Sequence, residues 1–312
     1  MGPQRALLAG GRLHLNHGPI DLIIEASGAA EEVARAYDQA WARFPDILPA
    51  LTGELHELRR AIGELPPSLT GPVARRMARA VGPYRPQFIT PMAAVAGAVA
   101  DEMLAAMVAG RALTKAYVND GGDIALHLTE GESFSAGIVG DLAAPAIDGR
   151  AQILADSPVR GIATSGRGGR SFSLGIADAV TVLARSAAEA DAAATMIANA
   201  VNVDDPAVRR QPAARLDPDS DLGNRPVTVA VGPLPPASIA QALDAGETAA
   251  EGFARAGLIL AAMLQLRGAR RIVTADGYSG SQVSFDGRGN LPRGRATPRP
   301  RASARGASRG HP

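Results

Sequence analysis

The chain has 312 residues, 46% of them apolar, and a formal charge of +1 from 32 Lys plus Arg against 31 Asp plus Glu. That balance hides an asymmetry: Gly287 to Pro312 carries seven Arg and no acid, so residues 1–286 hold 25 bases against 31 acids, a net of −6. The absence of Cys excludes disulfides, thiolate zinc sites, iron-sulfur clusters and cysteine nucleophiles, and the single lysine, Lys115, is followed by Ala116, which excludes a Walker-type phosphate loop.

In chain order, Met1 to Gly11 has too short an apolar patch for a signal peptide, and the apolar runs Ala93–Ala100 and Ala256–Leu266 are read as too short for a membrane span, so the expected location is cytoplasmic. Ile20–Glu25 predicts a buried strand, and Ala29–Arg43 has helical apolar spacing until Phe44 and Pro45 break it. Further helices are expected over Ala50–Ile62 and Pro72–Val81, and an Ala-rich helix over Met92–Met107, with Pro91 suited to its first turn. Strands are expected at Lys115–Val118, Ile124–Leu128, Phe134–Val139, Gln152–Ala155, Gly161–Thr164 and Ala179–Ala184. Ser186 to Glu189 reads S-A-A-E, a capping box that starts a helix over Ala187–Ala200. A strand at Val227–Val231, a long helical stretch over Ala237–Leu266 and a strand at Arg271–Thr274 follow. Irregular alternation of strands and helices argues against a doubly wound sheet or a barrel and for an α+β (mixed α/β) fold.

Four segments carry possible chemistry. Asn119-Asp120-Gly121-Gly122-Asp123 is either a hairpin turn, the reading favoured when it is taken alone, or a turn whose glycines let a ligand approach the backbone. Ala163-Thr164-Ser165-Gly166 with Arg167-Gly168-Gly169-Arg170-Ser171 is either a Gly-rich turn or a phosphate cradle of hydroxyls, amides and guanidinium groups. Asp191 and Thr195, four apart on the capped helix, place two hard oxygens on one face, which suits Mg²⁺ but is also a common chance pairing. Pro91–Asp101 is a small-residue helix that permits close packing or close approach of a flat ligand, and core packing is the better reading in isolation.

Taken together, PMAAVAGAVAD, VNDGGDI, GIATSGRGGRSFSLGIADAVTVLA and EADAAATMIANAV resemble the ApbE-like superfamily, most closely its uncharacterised branch without a lipoprotein signal. The resemblance runs over roughly Ile20 to Asp276. It implies β-sheets flanked by helices around an Ala-rich central helix, one domain over residues 1–276, and a disordered Arg/Gly/Pro-rich tail over 277–312 outside it. Better-known members are FAD:protein FMN transferases, which split the FAD pyrophosphate with Mg²⁺ and attach FMN to a threonine hydroxyl of an acceptor protein. By this resemblance Gly97 and Asp101 match the helix motif facing the flavin nucleotide. Asn119, Gly121 and Gly122 match the N-x-G-G turn, and Ala163, Thr164, Ser165 and Gly166 match the A-T-S-G loop. Asp191 and Thr195 match the magnesium ligands.

Two transferase features are missing: Ala96 stands where the transferases have a lysine, and Arg170-Ser171-Phe172-Ser173 replaces their H-x-x-D-P segment. The expectation is a protein that binds FAD or FMN with Mg²⁺, either a divergent transferase or pyrophosphate-cleaving enzyme, or a non-catalytic flavin-binding or accessory protein of a redox pathway. In the first case Arg170 contacts the phosphates and Asp101 or Asp123 is the base. The tail arginines lack interleaved aromatics, so specific nucleic-acid binding is not expected. Leu258, Ile259 and Met263 form an apolar face that suits either a homodimer contact or the monomer core.

Overall fold

The computed structural model describes residues 2–63, 67–139 and 147–278. The chain opens with three antiparallel strands, β1 (Gln4–Leu7), β2 (Leu13–His17) and β3 (Ile20–Gly28), the last extending the expected strand by three residues. Helix α1 (Ala30–Arg43) ends at Phe44 and Pro45, as its spacing predicts. The expected helix over Ala50–Ile62 is instead two short ones, α2 (Ile47–Gly53) and α3 (Leu55–Leu58), because the backbone leaves helical geometry at Glu54. Helix α4 (Pro72–Val81) matches expectation residue for residue, while Pro91–Ala94 forms a 3₁₀ turn that leads into α5 (Val95–Val108).

Strands β4 (Leu113–Asp120), β5 (Asp123–Leu128), β6 (Ser133–Val139), β7 (Ile147–Leu154), β8 (Gly161–Ser165) and β9 (Ala179–Ala184) fall on the expected segments, β7 starting earlier. Helix α6 (Ala187–Ala200) begins where the capping box places it, with the Ser186 hydroxyl accepting the Glu189 amide at 3.3 Å. Then come β10 (Val208–Pro212), α7 (Ala213–Leu216), β11 (Pro226–Val231), α8 (Pro236–Arg255), β12 (Ala261–Leu266) and β13 (Ala269–Thr274). The helix expected to run to Leu266 stops at Arg255, and Gly257, at φ 71°, turns the chain into β12. All six residues of β12 are buried. Leu264 and Leu266 enter one core and Ala261 and Met263 the other, so a strand covered on both faces presents the same continuous apolar run as a buried helix. Ile259 and Met263 are 0% and 1% exposed and Leu258 is half-buried, so these side chains pack into the interior of the chain.

Nine strands form one sheet in the order β1-β2-β3-β4-β5-β8-β9-β12-β13, with every described pairing antiparallel. One face carries α1, α4, α5, α6 and α8 over the larger core. The other is covered near its middle by the β6–β7 ribbon, whose Ala151 and Ile153 meet Leu126, Ile162 and Leu183. Helices on one face of an antiparallel sheet make the fold α+β. Among the described residues, the helical stretch Pro91–Val108 is long and apolar enough, by length and composition alone, to cross a membrane, further than a reading that stops the apolar run at Asp101 allows. Here it packs against α1, α4, α6, β4 and β5. Tyr278 packs on the second core and shares a 2.9 Å hydrogen bond with Ser157, so Gly277 and Tyr278 lie with the body. Residues 279–312, where the expected tail falls, lie outside the described residues.

Candidate functional site

Helices α5 and α6 cap each other. Asp101, in the second turn of α5, accepts the Ala187 and Ala188 amides at the start of α6, both at 3.0 Å. Asp191, in α6, accepts the Gly97 amide at the start of α5 at 3.1 Å. Each carboxylate thus satisfies amides that the opposing helix cannot bond internally, and each sits at the positive end of that helix's dipole. The exchange requires very close approach: a Cβ on Gly97 would lie 2.3 Å from the Ala187 carbonyl oxygen. Gly97 and Asp101 therefore serve helix packing and capping, and Asp101 has both oxygens engaged. Burial raises the Asp101 pKa above the usual carboxylate range, against the two amides that lower it. Asp101→Ala should cost about 2–3 kcal/mol, the two amide bonds together with the charge–dipole attraction. A urea midpoint equal to that of the wild type would refute the capping role.

Asp191 also faces the end of the sheet. There Gly121 (φ 63°) and Gly122 (φ 112°) form a two-residue turn between β4 and β5, the geometry of a tight hairpin. The Asn119 Oδ1 closes it by accepting the Gly122 amide at 2.8 Å. Asp120 and Asp123 flank the turn as register partners, so their side chains project on one face. The end of β8 meets this hairpin through the Thr164 amide, which donates to Asp123 Oδ1 at 3.2 Å, while the Thr164 hydroxyl bonds Thr181 at 2.9 Å. Ala163 is fully buried in the core, so only its backbone can face a ligand, and Ser165 is half-buried beyond it. Gly166 is constrained by packing, since a Cβ there would lie 2.5 Å from the Asp178 carbonyl oxygen.

The two loop arginines have different roles. Arg167 is committed to Asp178, at 2.7 and 3.0 Å. Arg170 lies across the turn, with its Nη2 2.5 Å from where a Gly121 Cβ would stand and its Nη1 donating to the Pro19 carbonyl at 3.2 Å. Its side chain stays 67% exposed and is 3.9 Å from Asp120 Oδ1.

The charge here is unbalanced. Burial pushes the Asp120 and Asp123 carboxyls up to about 7, against Arg170 in the first case and the Thr164 amide in the second. Burial, then the negative charge of Asp123, holds Asp191 well above the ordinary range, with the Gly97 amide opposing. Asp120 was not singled out by sequence motif. Its signal is positional: Ala116, Val118 and Asp120 alternate toward the core, which puts an acid at an inward strand position. Thr195 lies one turn beyond Asp191 on α6 and keeps partial solvent access. Among the described residues no three His, Cys, Asp or Glu side chains stand at metal-ligand geometry. A Mg²⁺ ion that takes one or two protein oxygens and completes its shell with phosphate and water needs no such cluster.

The family described as AbpE bacteria matches residues 5–272. The chain belongs to that family. As an ApbE-like protein it is also similar to a UPF0280 protein of Methanopyrus kandleri, 35% identical over 147 residues, covering 47% of this chain and 56% of that one. A UPF0280 protein of Methanothrix thermoacetophila is 37% identical over 142 residues, covering 45% and 57%. The chain spans about half the length of the curated relatives it matches. Among solved structures, the flavin transferase ApbE of Vibrio cholerae aligns with a TM-score of 0.42 at 12% identity over 88% of this chain and 98% of that one. The apo flavinyl transferase ApbE of Pseudomonas stutzeri aligns with a TM-score of 0.40 at 11% identity over 88% and 94%.

Proposed function

We propose that this ApbE-like chain binds a flavin nucleotide, FAD or FMN, with Mg²⁺ at the end of the sheet where α5, α6, the β4–β5 turn and the end of β8 meet. One observation carries the reading. Residues from four motifs separated by up to about a hundred positions are bonded there in two pairs, Gly97 to Asp191 and Asp123 to Thr164, which the packing of α5 and α6 against β5 and β8 brings together, with Arg170 lying over Gly121. Three desolvated carboxylates with raised pKa values, Asp120 buried and Asp123 and Asp191 half-buried, and one exposed guanidinium beside them form a site that suits a divalent cation against the acids and a phosphate oxygen against the guanidinium.

The donor set is hard oxygen throughout, which fits Mg²⁺. Asp191, through the oxygen not bonded to Gly97, and Thr195 would hold the ion. When bound it would neutralise charge developing on the bridging oxygen of a pyrophosphate. The backbone of Asn119–Gly122 and of Ala163–Gly166 would line the nucleotide, and Arg170 would turn from Asp120 to a phosphate oxygen. In a transfer reaction the nucleophile is an acceptor-protein hydroxyl or water. With both oxygens of Asp101 occupied by amides, Asp123 is the carboxylate left to take its proton.

Titration calorimetry with FAD, FMN and ADP, each with and without Mg²⁺, tests binding; no ligand tighter than about millimolar would end this reading. Asp191→Asn is the informative variant, because the amide oxygen can still cap Gly97 while the anionic ligand is lost. It should stay folded and melt no lower than the wild type at neutral pH, since burial disfavours the charged Asp191, and lose Mg²⁺-dependent FAD binding by about tenfold or more.

The second reading, a flavin-binding or accessory protein without turnover, is favoured by Ala96 and by Arg170-Ser171 where the transferases have their lysine and histidine. Incubation with FAD, Mg²⁺ and candidate acceptor proteins separates the two. Released AMP that disappears in Asp191→Asn supports the enzyme, and tight FAD binding with no AMP supports the accessory protein.

A further inference from the structure

We propose that the cavity between the end of β11, the start of α8 and the β12–β13 turn binds a small amphipathic monocarboxylate, with its carboxylate on Arg267 and its apolar body against Val231, Leu234 and Ile239. The cavity has a volume of about 420 Å³, within the range of small-molecule sites, and is lined by Val231, Gly232, Pro233, Leu234, Ile239 and Arg267. One ionised group thus stands in an otherwise uncharged and largely apolar wall. None of the four sequence motifs reaches this wall, and the site does not depend on the flavin reading.

Arg267 is set there by an unusual backbone. Among the described residues it is the only non-glycine with positive φ, at 51°. Leu266 and Ala269 are register partners, so Arg267 and Gly268 (φ 78°) make up the whole turn, where Asn, Asp or Gly ordinarily takes the first position. A long side chain at positive φ is strained, and such strain persists where surrounding bonds over-determine it and concentrates at functional positions. Three bonds do so here. The Arg267 amide donates to Asp178 Oδ2 at 2.5 Å, and Nη2 donates to the Val231 and Gly232 carbonyls at 2.5 and 3.0 Å. The guanidinium is therefore pinned at the cavity rim instead of ranging through solvent, and its Nε and Nη1 are bonded to no described residue. Asp178 gives its ion pair to Arg167, so among the described residues no carboxylate neutralises the Arg267 side chain. A ligand carboxylate would accept charge-assisted bonds from these remaining donors, and an apolar chain behind it would cover the rest of the wall.

Sodium octanoate is the probe, and octanol is its uncharged control. Calorimetry on the full chain, with no nucleotide or Mg²⁺ present, should give one saturable octanoate site tighter than about 1 mM, with octanol about tenfold weaker. Amide-resolved NMR should place the shifts at Gly232, Leu234, Ile239 and Gly268, around the cavity. Arg267→Asn removes the guanidinium and installs a residue that tolerates positive φ, so it should stay folded by circular dichroism melting and bind octanoate about tenfold more weakly. Leu234→Glu sets a like charge in the half-buried wall and should weaken binding by a similar factor. No saturable octanoate binding, octanol binding as tight as octanoate, or shifts centred elsewhere would overturn the proposal, as would unchanged octanoate affinity in either folded variant. Octanoate binding that follows this pattern in a protein that binds no flavin nucleotide would overturn the functional reading and leave this one standing.

Discussion

Gly97→Ala is expected to destabilise the fold by roughly 3 kcal/mol or more, the upper end of overpacking costs, and to lower the melting temperature by about 6–12 °C. The added methyl would meet the Ala187 carbonyl oxygen at 2.3 Å, its carbon at 2.5 Å and the Ala188 nitrogen at 2.7 Å. These are backbone atoms at the first turn of α6, which cannot rotate aside as a side-chain tip would. Separating the helices to relieve the clash would also stretch three bonds, those of Asp101 to Ala187 and Ala188 and that of Asp191 to Gly97. The double variant Gly97→Ala with Asp101→Ala should therefore cost less than the sum of the two single changes, since both act on the same contact. Additive midpoints in urea would show that the clash and the caps are independent.

The second large effect is on pH dependence. Asp120 and Asp123 are both pushed up to about 7, from an ordinary aspartate value near 3.8. A carboxyl with a raised pKa in the folded state holds a proton there that the unfolded chain has already released. Stability is therefore fully present below pH about 4, falls as pH rises, and levels off above about 7. The fall between pH 5 and pH 8 should be on the order of 2–4 kcal/mol, less than two independent groups would give because the titrations are linked. Asp120→Asn should flatten the profile and exceed the wild type in stability at pH 8. Millimolar Mg²⁺ should restore part of the loss in the wild type, since a bound cation favours the charged carboxylates. Urea midpoints at pH 5 and pH 8 with and without the metal measure this. Equal midpoints at the two pH values would mean that these groups are not held in a desolvated site.

The capping pair also bears on how the four motifs are understood. Gly97-x-x-x-Asp101 and Asp191-x-x-x-Thr195 are read from sequence as nucleotide-facing and metal-binding patterns. The structure ties three of these residues to each other's helix ends, so the geometry of the proposed cation position depends on packing between α5 and α6. A variant of Gly97 or Asp101 that loses ligand binding is therefore expected to lose stability with it, whereas Asp191→Asn and Asp120→Asn separate the two properties.

Local chemistry made many element boundaries legible in the sequence. Pro72 at a first helical turn, the Phe44-Pro45 break, the Ser186 capping box and the glycine pair at 121 and 122 each act through bonds or dihedral restrictions within a few residues, and those boundaries match or nearly match. The sequence also determined the absence of thiol chemistry and the charge division between the body and its basic end. The tertiary structure decided what depends on two faces or two distant segments. Whether Ala261–Leu266 is helix or strand depends on β9 and β13 lying on either side of it, because burial on both faces erases the periodicity. Whether Asp101 is a base or a cap depends on α6 arriving within 3.0 Å, 86 positions later in the chain. Asp120 looked like an ordinary turn residue until β3, β5 and Arg170 enclosed it, since desolvation is a property of the surroundings and not of the residue.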